Sequence, residues 1–349
     1  MVSITFNGNK MEVSEDKTLL EIARENGIDI PTLCYNKKLK LFSGCRMCVV
    51  EVTGRKNLAA ACSTKPLAGM VVQTDSEKVI KARKDILDLL VSNHPEGLES
   101  STKVGDDRFR EYAVKYGVTQ GSYKGAVRNY EIDDANPAYL RDPNKCILCG
   151  QCVSTCDQIQ ITHTIDFLGK GFDTKVATAF DLPISTDNCR LCGQCVSECP
   201  TGALIHKQLQ FVDPAKVTKV RTTCPFCGTG CNFDLNVVDG KVVGVTPIDE
   251  ATVNNSSLCV KGRYHSDMLY NKDRLTTPLI KKDGKFVEAT YDEAFNYIAE
   301  KFKEVIDKHG ADSVTGLSSA RCTNEDNYVF QKLFRAGFGT NNIDHCART

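Results

Sequence analysis

Eighteen cysteines fall in 349 residues, and they are not scattered: none lies between residues 63 and 145, whereas eleven stand from Cys146 to Cys231. Thiols outside an oxidising compartment stay reduced, so a population of this size points to metal ligation before disulfides. Structural cysteines would be spread out and buried one at a time. Clustering in short repeats makes the chain a metal carrier. No basic start leads into an apolar core, no twin arginine is present, and no apolar run approaches the roughly 18 residues of a membrane helix. The expectation is a cytoplasmic chain with no membrane span. With 44 basic and 44 acidic residues the formal charge is zero, which gives no reason to expect nucleic acid or an anionic membrane as partner.

Sixteen of the cysteines form three constellations. Cys34, Cys45, Cys48 and Cys62 are spaced C-x10-C-x2-C-x13-C, with Gly44 free to let the backbone fold round a cluster. Zinc is the competing occupant for this set. Cys146, Cys149, Cys152 and Cys156, then Cys189, Cys192, Cys195 and Cys199 followed by Pro200, are two C-x2-C-x2-C-x3-C runs. That is the two-cluster bacterial ferredoxin signature, in which each fourth cysteine ligates the other cluster. By that rule Cys146, Cys149, Cys152 and Cys199 hold one [4Fe–4S], and Cys189, Cys192, Cys195 and Cys156 the other. Asp157 stands where proline is usual, a departure expected to affect the turn and not the ligands. Cys224, Cys227, Cys231 and Cys259 form the third constellation, C-x2-C-x3-C-x27-C, and suggest one more [4Fe–4S]. Cys322 and Cys346 remain and read as small buried thiols. There is no G-x-G-x-x-G and no G-x-x-x-x-G-K-[ST], so the chain shows no nucleotide fingerprint of its own.

Periodicity supplies the scaffold. Val2–Phe6 and Lys10–Val13 alternate around Asn7-Gly8, a strong hairpin turn, and Thr18 can cap a helix that Asn26-Gly27 ends. Strand-like runs recur at 47–52 and 70–74. Residues 76–93 are helical, with Val79, Ile80, Ile86, Leu87, Leu90 and Val91 on one stripe, and residues 291–306 form a second amphipathic helix. Residues 95–143 read as a connector that wraps a neighbour.

The first constellation resembles the [2Fe–2S] domain of the iron–sulfur-rich large subunit of respiratory complex I and of iron-only hydrogenases. The third, written C-P-F-C-G-T-G-C and C-V-K-G-R, resembles the start of molybdopterin-dependent oxidoreductases. The fit is closest to formate dehydrogenases, through S-S-A-R-C-T-N-E-D-N-Y at 318–328 and T-N-N-I-D-H-C-A-R-T at 340–349. The resemblance implies an α+β multidomain chain: a β-grasp [2Fe–2S] ferredoxin domain (1–80), a helical or irregular connector (81–143), a two-[4Fe–4S] ferredoxin domain (144–212), and a [4Fe–4S] domain opening an α/β molybdopterin oxidoreductase domain (213–349). It further implies one [2Fe–2S] and three [4Fe–4S] clusters, with bis-molybdopterin guanine dinucleotide carrying Mo or W in the full-length protein. Lys261 would lie between cluster and pterin.

Formate and carbon dioxide are the implied substrates. Electrons would pass to flavin- and iron–sulfur-containing NAD(P)-linked subunits, or to a ferredoxin. The family's metal-ligating selenocysteine or cysteine would follow Thr349, so no catalytic residue is expected within the chain, which alone would not turn over formate; a frame continuing through UGA is the corresponding expectation. His94-Pro95 resembles the histidine of a further complex-I cluster. No cysteine follows before Cys146, so that cluster is expected to be absent. The competing readings are a nitrate-reductase-like enzyme or iron-only hydrogenase, and a free-standing electron-transfer subunit of a hydrogenase-like or complex-I-like complex.

Overall fold

The computed structural model describes residues 1–95, 98, 103–249, 251 and 253–346. The chain forms two units, Met1–Val217 and Thr218–Thr349. In the first, strands β1 (Val2–Phe6) and β2 (Asn9–Val13) make a hairpin whose turn residues, Asn7 and Gly8, both take positive φ (50° and 85°). That is the turn whose twist matches paired strands. Helix α1 (Leu19–Glu25) begins at Thr18, where the Thr18 hydroxyl accepts from the Glu21 amide and the Glu21 carboxylate accepts from the Thr18 amide. Strands β3 (Val49–Val52), β4 (Ala59–Ala60) and β5 (Val71–Gln73) complete a sheet of order β2-β1-β5-β3-β4. Its β1 and β5 are parallel, the other pairs antiparallel. Alternation along β1 turns Ile4 and Phe6 inward, where Leu19, Leu20, Ile22 and Ala23 of α1 join them in one core.

Helix α2 (Glu77–Val91) starts at Ser76 and packs on α3 (Arg108–Tyr116), which ends at the left-handed Gly117. Leu87 and Val91 of α2 and Phe109 and Ala113 of α3 close over Leu33 and Met47. The fully buried Arg83 ties α2 to the sheet by donating to the Val49 carbonyl at 3.0 Å and to Tyr116 Oη at 3.1 Å.

Next come β6 (Tyr139–Arg141), α4 (Gln151–Gln158), the hairpin β7 (Asp166–Leu168) and β8 (Lys175–Ala177), α5 (Gln194–Glu198) and β9 (Leu204–His206). β6 pairs antiparallel with β9, so the end of the expected connector closes the sheet beside the ferredoxin-type runs. Three residues are too few for periodicity to reveal such a strand.

The second unit opens with an antiparallel meander of β10 (Thr218–Thr223), β11 (Asn232–Val238) and β12 (Lys241–Pro247). Cys224, Phe233, Val245 and Leu258 form its core. Helix α6 (Val260–Tyr264) follows Cys259, and β13 (Leu279–Lys282) pairs with β14 (Lys285–Glu288). Helix α7 (Tyr291–His309) carries a Thr290–Glu293 capping box, and its apolar stripe stays open apart from contacts such as Phe302 on Phe338, 4.7 Å between centroids. β15 (Gly316–Ser318), α8 (Asn324–Lys332) and β16 (Ile343–His345) then form a strand–helix–strand crossover with the two strands parallel. Among the described residues no helix is long and apolar enough to cross a membrane.

Candidate metal centres

The two ferredoxin-type runs fold as copies of one loop. Leu148 and Leu191 (φ 55° and 56°) and then Gly150 and Gly193 (φ 76° and 67°) take the left-handed conformation at matching positions. In each copy the leucine amide donates 3.4 Å to the sulfur two residues back, Leu148 to Cys146 and Leu191 to Cys189. A helix follows each glycine, α4 and α5, and the two helices pack against one another. One cavity of ≈ 30 Å³ is lined by Cys146, Cys149, Cys152 and Cys199, and also by Cys195, which lines the second cavity as well. Another of ≈ 20 Å³ is lined by Cys156, Cys189, Cys192 and Cys195. The structure thus brings the fourth cysteine of each run to the other run's first three.

Burial raises the thiols of Cys149, Cys152 and Cys195 and lifts Cys146 to about 11. Neutral thiols in apolar walls are poised for a group that replaces their protons. Tyr139 Oη lies 3.3 Å from Cys189 Sγ, and Thr162 Oγ1 3.0 Å from Cys156 Sγ.

Cys34, Cys45, Cys48 and Cys62 also meet. The Cys45 amide donates to Cys34 Sγ at 3.4 Å, and Ser43 Oγ lies 3.3 Å from Cys62 Sγ. Cys34 and Cys45 share a thiol hydrogen bond, as do Cys48 and Cys62, and in each pair this lowers the second thiol and raises the first. This loop adjoins the first ferredoxin-type loop. Gln151 Nε2 donates to the Leu33 carbonyl at 2.5 Å, and Cys45 and Ile147 both pack on the core that holds Leu33 and Met47. The Phe42 ring lies where a side chain on Gly150 would stand, 3.1 Å from an added Cβ.

In the second unit the Cys224 amide donates to the Cys231 carbonyl at 2.8 Å, and Cys224 and Cys231 each feel the charges of Cys227 and Cys259. Cys224 is buried and Cys259 exposed. Lys261 is exposed on α6, and its charge reaches Cys227, whose thiol is lowered chiefly by the Thr229 hydroxyl. Gly228 presses on the loop after β15: an added Cβ would meet the Ala320 and Cys322 carbonyls at 2.9 and 3.0 Å. Beyond lies a cleft of ≈ 480 Å³ at the carboxyl ends of β15 and β16, lined among others by Ser319, Asn327, Arg335, Asn341 and His345.

His94 lies three residues past the end of α2, and its ring packs against Phe109, 6.5 Å between centroids. Cys322 is half-buried, but Cys346 is exposed at the end of β16, 3.4 Å from Ser319 Oγ; the expectation of a buried thiol fails there because nothing among the described residues covers that strand end. Ala347, Arg348 and Thr349, which carry part of the formate-dehydrogenase-like ending, lie outside the described residues. Sequence reasoning missed Phe42, Tyr139, Thr162, Lys103 and Arg128. Tyr139 and Thr162 reach sulfurs, Lys103 and Arg128 reach the carbonyls of cysteines, and Phe42 packs at Gly150; they come from separate segments, and no motif links them.

The fold and the thiol arrangement define a chain of cysteine-rich domains built to hold metal clusters, and each part of it is similar to a known family. Residues 1–77 match the 2Fe-2S iron-sulfur cluster binding domain and 145–203 the 4Fe-4S dicluster domain. Residues 217–271 match the molybdopterin oxidoreductase Fe4S4 domain, and 274–349 molybdopterin oxidoreductase itself. Among similar proteins, the alpha chain of an NADPH-Fe(3+) oxidoreductase from Geobacter sulfurreducens is 37% identical over the whole chain, which covers 40% of that protein. A component of an NADH-quinone oxidoreductase from Rhizobium meliloti is 33% identical, again with all of this chain and 40% of that one. YrhE of Bacillus subtilis, named only provisionally as a formate dehydrogenase, is 31% identical over 99% of the chain and 40% of its own length. The chain therefore spans about 40% of the length of the curated relatives it matches. Among solved structures, an NAD+-reducing [NiFe]-hydrogenase matches 61% of this chain and 90% of its own, with TM-score 0.55 and 27% identity.

Proposed function

We propose that the chain relays single electrons through one [2Fe–2S] cluster at Cys34, Cys45, Cys48 and Cys62 and three [4Fe–4S] clusters. The latter sit at Cys146, Cys149, Cys152 and Cys199; at Cys156, Cys189, Cys192 and Cys195; and at Cys224, Cys227, Cys231 and Cys259. The observation that carries the reading is the exchange of Cys199 and Cys156 between the two loops. A lone tetrahedral zinc, with Zn–S near 2.3 Å, draws its thiolates to within about 4 Å of one another. The paired sets instead line the walls of a cavity, which suits a multi-atom group. Bound there, the clusters supply one-electron transfer. The chain's own residues fix the thiols, exclude water through Ile165, Ile184 and Leu204, and keep the [2Fe–2S] loop against the Cys146–Cys152 loop.

The electron source is proposed to be formate oxidation, or its reverse, at a Mo or W bis-molybdopterin guanine dinucleotide held by the longer protein. Support comes from the formate-dehydrogenase-like segments at 318–328 and 340–349 and from the cleft at the ends of β15 and β16, whose amide and guanidinium groups suit a phosphate-bearing pterin. Lys261, next to Cys259 and within electrostatic reach of Cys227, is assigned to the gap between that cluster and the pterin. The other end is proposed to face a flavin-containing NAD(P)-linked subunit, in keeping with the relatives named for NADPH, NADH and NAD+.

The test has two parts. Anaerobically prepared chain should be brown and hold about fourteen irons with matching acid-labile sulfide, and the full-length protein should contain Mo or W and reduce a dye with formate. Stoichiometric zinc with no reducible paramagnetic signal would refute the relay. Iron without formate-dependent reduction would refute only the substrate.

A further inference from the structure

Four cations between residues 103 and 141 reach the set Cys146, Cys149, Cys152 and Cys199: Arg141 lines its cavity, the charge of Arg108 reaches Cys149, and Lys103 and Arg128 bond to carbonyls of its cysteines. Two of them are neutralised by carboxylates: Arg108 pairs with Asp106 at 2.8 Å and Arg141 with Asp133 at 3.1 Å. The other two are aimed at ligand-bearing backbone. Lys103, only 6% exposed, donates from Nζ to the Cys199 carbonyl. Arg128 donates to the Cys146 carbonyl at 3.0 Å and to the Phe172 carbonyl at 3.4 Å, its guanidinium lying over the Phe172 ring at 5.6 Å. Among the described residues neither makes an ion pair with a carboxylate. The companion cavity is different. Its sulfurs face the neutral hydroxyls of Tyr139 and Thr162, and the cation on its wall, Arg190, is exposed to water.

We infer that Lys103 and Arg128 are positioning residues that raise the reduction potential of the cluster at Cys146, Cys149, Cys152 and Cys199. The inference rests on the iron–sulfur reading above. Reduction adds one negative charge to the cluster, and a positive charge held beside it favours the reduced form. The effect is largest where water is excluded, as around Lys103, and smallest where a carboxylate offsets the cation, as at Arg108 and Arg141. By strapping the first and last cysteines of the set, the connector both orients the ligands and biases where an electron rests in this unit. That place adjoins the [2Fe–2S] loop.

The experiment is a redox titration of the anaerobic holoprotein followed by electron paramagnetic resonance, with the signal of this cluster identified through Cys149→Ser. Lys103→Met and Arg128→Met should each shift its midpoint to more negative potential and leave the other clusters in place. Lys103→Arg and Arg128→Lys should restore it. The inference is overturned by unmoved potentials in both Met variants at full iron content, by an equal shift of all clusters, or by iron loss that the Arg and Lys replacements fail to repair. A wild-type protein with zinc and no reducible signal would overturn the iron–sulfur reading itself, an outcome separable from these.

Discussion

Leu148 and Leu191 sit in a conformation that costs an ordinary side chain about 1–2 kcal/mol, and they do so at the same place in two loops. The return is an amide turned toward a cysteine sulfur, so the strain belongs to the thiol site and not to the scaffold. Glu21 shows the opposite economy. The Thr18 amide, with help from its hydroxyl, holds the Glu21 carboxyl below its ordinary range. A depressed carboxyl stabilises the fold above its unfolded pKa and loses that contribution as pH falls through the folded value. Urea unfolding of the chain should therefore show α1 weakening on acidification below the usual glutamate range, and Glu21→Gln should flatten that dependence. Thr18→Ala should cost about 1 kcal/mol at neutral pH, and an unchanged midpoint would contradict the cap. The cysteines were legible because ligand spacing is local in sequence. Lys103, Arg128 and Tyr139 were not, because their roles depend on carbonyls and sulfurs that only the tertiary fold brings to them.

At the level of elements, the replacement of proline by Asp157 has a visible effect. α4 runs on past Cys156 to Gln158, whereas α5 stops at Glu198 ahead of Cys199-Pro200. Asp157 uses the extra turn to meet His163, Oδ1 to Nδ1 at 2.9 Å. Asp157→Pro should break that last turn at a cost of about 3 kcal/mol, seen as a lower melting temperature and as iron loss from the set that includes Cys156. A variant as stable as the parent would show that α4 does not need the extra turn. The long helices α2 and α7, the first hairpin and the capping boxes could all be read from periodicity and cap residues. The strands β6 and β9 and the five-residue α5 could not. They are too short to carry a period, and neighbouring loops hold them in place.

For the whole molecule, the proposed relay together with the contact between the Cys34–Cys48 and Cys146–Cys152 loops predicts that residues 1–80 are the gate to an NAD(P)-linked partner. Deleting them from the full-length protein should abolish NAD(P)-linked transfer while sparing formate-dependent dye reduction; undiminished NAD(P)-linked activity would remove the gate. The exchange of fourth cysteines between the two ferredoxin-type loops also bears on how the protein is filled. On the proposed ligation, a cluster bound at the first site would join Cys146 to Cys199 and hold α4 against α5, so that Cys156 would stand at the second loop with its chain entropy already spent. The second site is then easier to fill than the first. When iron is scarce, molecules should divide into empty and full ones, and half-supplied cells would hold fewer competent carriers instead of many defective ones.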